Sequence, residues 1–141
     1  MHGVKYMMVG GFATNLHGFN RTTADMDIWI KDTYDNRKNL RKVLEDMQLN
    51  NIGNIETTQF IPGWTSFLLT SGFELDIMTY LKGFEQEKFD DCLKVSPVAH
   101  ILDIPVHFLH LNQLIESKKA TGREKDLIDI IALEKIRNEL K

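Results

Sequence analysis

Three aspartates have the type and spacing to do chemistry: Asp25 and Asp27, two apart, and Asp76 further on. Ala24 to Ile30 reads ADMDIWI, and its alternation is that of a strand. Successive strand side chains point to opposite faces, so Asp25 and Asp27 share one, with Cα atoms roughly 6.5 Å apart. Met26 and Ile28 face the other way, into a core. Two carboxylates on one face repel each other unless a cation lies between them. Asp76 sits in a second strand-like run, FELDIMT (Phe73 to Thr79), with Leu75 and Ile77 on the opposite face. An acid inside an apolar strand is costly unless it is exposed or partnered. On adjacent strands the three aspartates would form an oxygen-donor site for Mg²⁺ or Mn²⁺. Such a site suits in-line phosphoryl transfer with two ions roughly 4 Å apart.

A second feature lies just upstream. The apolar run Val4 to Val9 reads as a buried strand, and Gly10-Gly11 joins it to a short helix over Phe12 to Gly18. A glycine pair there lets the backbone approach a ligand, and the N–H groups of a helix start favour phosphate. Alone, such a pair is ordinarily only a tight turn; beside the aspartates it predicts a seat for a nucleoside triphosphate.

The combination resembles a known family. Gly10-Gly11, then Gly18, then R-x-T-x-D-x-D (Arg21, Thr23, Asp25, Asp27), then Asp76 in an apolar strand, is similar to the polymerase-β-like nucleotidyltransferase superfamily. The nearest likeness is to its small bacterial stand-alone members, related to abortive-infection nucleotidyltransferase toxins and to small antibiotic nucleotidyltransferases. It continues through Leu114-Ile115, Lys118, Ala120, Arg123, Lys125-Asp126 and Asp129-Ile130, so it spans about Val4 to Leu133.

The resemblance implies a nucleotidyltransferase fold: an α/β (α+β) domain with a small mixed β-sheet backed by helices. It implies one domain over 1–141, with 110–141 a helical segment packed on it. Asp25, Asp27 and Asp76 become catalytic residues and metal ligands. Gly10, Gly11, Arg21, Thr23, Lys118 and Lys125 become nucleotide-binding residues, with Lys118 and Lys125 reaching the β- and γ-phosphates. Arg123 either does the same or pairs with Asp126 and Asp129. The implied substrates are an NTP and a hydroxyl acceptor, either a tRNA, a protein or a small molecule. A homodimer or a toxin–antitoxin partner is expected to complete the acceptor wall. A non-catalytic nucleotide sensor is the other class, and three retained aspartates weigh against it.

The remaining chain must position these groups. With 141 residues, 43% of them hydrophobic and 26% charged, it can form one globular domain with a real core. A net charge of −3 argues against a broad nucleic-acid surface. One cysteine, Cys92, excludes an internal disulfide and fits a reducing cytoplasm. No apolar run approaches a membrane span, and no signal peptide is evident. The first strand starts almost at once, where similar proteins usually carry a helix; this implies a shortened chain or an exposed edge.

Asp32 or Thr33 caps a helix running to about Met47, with Leu40, Val43, Leu44 and Met47 inward and Arg37, Lys38, Arg41 and Lys42 on a solvated face. Strands are expected near Ile55–Ile61 and Thr65–Thr70, and Phe67–Thr70 with Phe73–Met78 reads as a hairpin. A short helix follows Gly83. Val95–Leu102 and Ile104–Leu109 are strand-like. His107 and His110 have no cysteine partner and no clear third ligand, so zinc is not expected there. Asn112 is expected to cap a helix over Gln113–Ala120, broken at Thr121-Gly122. A last helix over Glu124–Leu140 should bury Leu127, Ile130 and Ile131, with Leu133 and Ile136 widening that stripe.

Overall fold

The computed structural model describes residues 3–19, 25–49, 53–60, 64–69 and 72–140. Strand β1 (Tyr6–Val9) runs straight into α1 (Gly10–Leu16), and the chain returns as β2 (Asp25–Ile30). Helix α2 (Tyr34–Asp46) leads to the hairpin β3 (Trp64–Leu68) and β4 (Glu74–Met78). A 3-10 turn over Gln86–Lys88 precedes α3 (Phe89–Lys94). A separate hairpin, β5 (Val98–Ile101) and β6 (Ile104–His107), is followed by α4 (Leu111–Thr121) and α5 (Glu124–Glu139).

The main sheet has the order β1-β2-β4-β3. Its β1–β2 and β3–β4 pairs are antiparallel and its central β2–β4 pair is parallel, so it is the small mixed sheet expected. Register decides which side chains become neighbours. Val9, Asp27, Asp76 and Ser66 lie opposite one another across all four strands. Two residues back along both strands, Asp25 lies opposite Glu74. Residues two apart share a face, so these form one polar front. The alternate residues Ile28, Leu75 and Ile77 are buried behind it, where α2 brings Leu40 and Leu44.

The core is not confined to one face of the sheet: Met7, Met8 and Val9 of β1 and Ile28, Trp29 and Ile30 of β2 are buried in unbroken runs. Met7, Trp29, Ile77 and Leu109 are fully buried, and the Trp29 indole donates to Thr79 O at 3.0 Å while packing edge-on against Phe89. Thr33 caps α2, its hydroxyl accepting the Asn36 N–H at 3.1 Å. The capping expectation at the next helix is corrected: His110, not Asn112, is the cap of α4, its ring accepting the Asn112 N–H at 3.1 Å. Gly122 ends α4 at φ +67, as the Thr121-Gly122 break required.

Two further expectations change. Ile55 to Phe60 is a turn and coil, not a strand. Arg37 reaches out of α2 to bond the carbonyls of Ile55 and Thr58, and its guanidinium lies 4.2 Å from the centre of the Phe60 ring. Side chains therefore take the acceptors that a neighbouring strand would need. For the same reason Arg37 is buried, and Arg41 is paired with Glu56, so the basic side of α2 is partly structural.

The second change is in α5. Its buried residues are Asp126, Asp129, Ile130 and Leu133, whereas Leu127 and Ile131 face outward. The stripe expected from apolar residues alone is rotated, because α4 presents a lysine to this helix.

Among the described residues no helix is long and apolar enough to cross a membrane.

Candidate active site

The front of β2 and β4 gathers four carboxylates. Oxygens of Asp25, Glu74 and Asp76 all lie within 4.8 Å of one another. Asp27 is the innermost, half-buried and hydrogen-bonded to Asp76. Ser66 Oγ donates to Asp76 Oδ1 at 2.5 Å from the facing strand. Burial, the hydrogen bond to Asp76 and the charges of Asp76 and Asp25 push the Asp27 carboxyl up to about 7, against an opposing pull from Lys118. Such crowding is stable only with protons or a cation among the oxygens. The donors are hard and anionic, so the set fits a divalent ion of the Mg²⁺ or Mn²⁺ class.

Asp25, Asp27 and Asp76 are thus brought together as the spacing implied. Glu74 joins them, and the sequence reading missed it. Its signal was present: Glu74-Leu75-Asp76 repeats the acid-x-acid alternation of Asp25-Met26-Asp27.

Gly10 covers this front. It opens α1 at φ +64, and the carbonyl it carries accepts from Thr14 Oγ1 at 3.0 Å. A Cβ there would lie 3.0 Å from Asp27 Cγ and closer still to Oδ2. Only glycine combines that conformation with that approach. Gly11 is half-buried in the first turn of the same helix.

A cleft of about 410 Å³ opens over the carboxylates. Val9, Gly10, Asp27 and Asp76 form its floor; Leu114, Ser117, Lys118 and Thr121 of α4 form one wall. Trp64, Met78, Tyr80 and Lys82 face them from the end of the β3–β4 hairpin, and Arg123 closes the α4–α5 corner. Trp64, Tyr80 and Lys82 are exposed to solvent.

The cations divide. Lys118 is 6% exposed. Its Nζ bonds Asp129 Oδ2 at 2.9 Å and lies 3.8 Å from Asp126 Oδ1. Arg123 Nε donates to Asp126 Oδ2 at 2.7 Å. Burial alone would raise the Asp126 pKa, but Arg123 and Lys118 override it and hold the carboxyl below its usual value. Lys118 therefore lies in the cleft wall with fixed partners. Lys125 is exposed on α5 and does not line the cleft. Lys82, which the sequence reading passed over, does line it. Arg21 and Thr23 lie outside the described residues.

His107 and His110 have structural partners, and so does His17 beside the site. His17 Nε2 is 2.7 Å from Leu109 O, and its ring meets Phe108 edge-on. His107 Nδ1 is 3.0 Å from Ser96 Oγ, and His110 caps α4.

No protein-family model matches the chain, and no curated protein matches it in sequence. Solved structures similar in fold include the following two. One is the lincosamide antibiotic adenylyltransferase LnuA with lincomycin bound, at 17% identity and a TM-score of 0.60, covering 94% of this chain and 87% of that one. The other is an antigenic nucleotidyltransferase-like protein from Paracoccidioides brasiliensis, at 18% identity and a TM-score of 0.51, covering 92% of this chain and 66% of that one. The architecture of this chain is the nucleotidyltransferase fold.

Proposed function

We propose that this protein is a metal-dependent nucleotidyltransferase that moves an NMP group from an NTP to a hydroxyl acceptor and releases pyrophosphate. The observation that carries this reading is the row Val9–Asp27–Asp76–Ser66, with Asp25 and Glu74 beside it, whose Asp27, beneath Gly10, and Asp76 line an open cleft.

Asp25, Asp27 and Asp76, with Glu74, would hold Mg²⁺ or Mn²⁺, which when bound would offset the charge of the triphosphate. The backbone at Gly10 and Gly11 gives the phosphates a close approach at a helix start. Lys82 and Arg123 stand at the rim to balance the charge of the leaving pyrophosphate. The acceptor oxygen forms a bond to the α-phosphorus as the bond to the bridging oxygen breaks. The hydroxyl proton passes to the carboxylate of Asp76. Catalysis on this reading is positioning and electrostatic stabilisation, with no covalent enzyme intermediate.

The likeness to the lincomycin-bound adenylyltransferase favours a small hydroxylated molecule as acceptor. The cleft is of a size that suits such a ligand. A tRNA end or a partner protein, as in a toxin–antitoxin pair, is the competing acceptor.

The test is incubation with Mg²⁺ and each NTP labelled on the α-phosphate, offering a lincosamide and aminoglycoside panel, total tRNA and cell lysate in separate arms. Asp25→Ala/Asp27→Ala is the control. Label in one arm, lost in the control, identifies donor and acceptor together. Nucleotide binding without transfer in any arm assigns the protein to the sensors.

A further inference from the structure

Helix α5 turns Asp126, Asp129, Ile130 and Leu133 inward, and its opposite side carries an apolar stripe. Leu127 is 54%, Ile128 64% and Ile131 70% exposed. A solvated helix face in a soluble chain is normally polar, so three large aliphatic side chains in one stripe call for a cover. Glu124 and Lys135 continue the same stripe at its two ends, since 124, 127/128, 131 and 135 follow helical spacing. Both are exposed, and neither forms an ion pair with another described residue.

This stripe is self-complementary. Laid antiparallel on itself about the midpoint between Asp129 and Ile130, it sets Ile128 against the partner's Ile131, and Glu124 against the partner's Lys135. The same contacts repeat on the other side of the two-fold axis, as an isologous interface requires. We propose that the outer face of α5 is a homodimer interface, in which two copies of this chain pair α5 with α5 antiparallel. Its border carries both signs of charge, which suits this partner better than an anionic membrane. The pairing leaves the cleft open, because the inner face of α5, with Asp126 and Asp129, is the one that holds Lys118.

The proposal rests on the fold and not on the activity proposed above, so the two fail separately. Sedimentation velocity or light scattering over a concentration series reads it directly. The wild type should show a mass twice that of one chain in the micromolar range. Ile131→Glu and Ile128→Glu should each give a monomer with unchanged helical circular dichroism. Glu124→Lys should weaken the dimer about tenfold by setting like charges opposite, and Glu124→Lys/Lys135→Glu should restore it. A wild type that stays monomeric overturns the proposal. So does a dimer indifferent to Ile131→Glu, or a charge swap that does not rescue.

Discussion

Gly10 lies directly over Asp27: a methyl group on its Cα would fall 3.0 Å from the Asp27 Cγ and nearer to one carboxylate oxygen. The turn and the carboxylate are therefore one unit. Gly10→Ala should abolish nucleotidyl transfer and also cost about 1–3 kcal/mol in stability, because φ is +64 there. Thermal melts and a transfer assay on the same preparation check both. Gly11→Ala is the control and should be milder in both respects, since Gly11 takes no left-handed conformation.

The pH dependence of the metal-free protein follows from Asp27. Its carboxyl is pushed up to about 7 when folded, from an ordinary 3.8. The native state thus binds more protons than the unfolded chain between these values. Its stability should fall as pH rises from about 4 to about 7, and level off above. Adding Mg²⁺ should flatten that slope, because a bound cation replaces the proton. Asp27→Asn should flatten it too, while losing transfer. Denaturant titrations at a series of pH values, with Mg²⁺ and with a chelator, measure the effect; a slope of the opposite sign would refute the burial argument.

Glu74 should behave as a metal donor and not as a surface residue. Glu74→Gln is expected to weaken Mg²⁺ or Mn²⁺ binding about tenfold, within the range seen when a metal's supporting groups are altered. Its melting temperature in chelator should stay the same or rise, since it relieves repulsion. Calorimetric titration with Mn²⁺ reads the affinity.

The two lysines of the C-terminal helices should part company. Lys118→Met removes the buried cation that Asp126 and Asp129 share, although Asp126 keeps Arg123, and should cost roughly 3–5 kcal/mol. Lys125→Ala lies on an exposed helix face and should change stability by less than about 0.5 kcal/mol. If Lys125→Ala also leaves the KM for NTP unchanged, phosphate contact falls to Lys82 and Arg123.

The parts of the fold legible in the sequence were those fixed by local pattern. The Asp25-Met26-Asp27 alternation forces both acids onto one face of β2, and the hairpin into β4 delivers Asp76 beside them. Glu74 obeyed the same rule within the run Phe73 to Thr79 but lies near its edge, whereas Asp76 is at its centre, between Leu75 and Ile77, which mark it as an acid in an apolar strand. What was illegible depended on partners distant in sequence. Asp126 and Asp129 look like solvent residues on any helical projection of α5; they are buried because Lys118 arrives from α4. Once they turn inward, Leu127 and Ile131 must turn out. Likewise the apolar residues Ile55 and Phe60 suggested a strand, and Arg37 from α2 instead takes the carbonyls of Ile55 and Thr58 and packs on the Phe60 ring.

The row Val9–Asp27–Asp76–Ser66 crosses every strand of the main sheet, including the parallel pair that joins β2 to β4. No local fragment can assemble it, because Asp27 and Asp76 are remote along the chain and meet only after a long loop has closed. Cation affinity is consequently a property of the finished topology. During refolding, tight Mn²⁺ binding should emerge with the last sheet contacts, after helical signal has already appeared, so the ion is a reporter of native strand order.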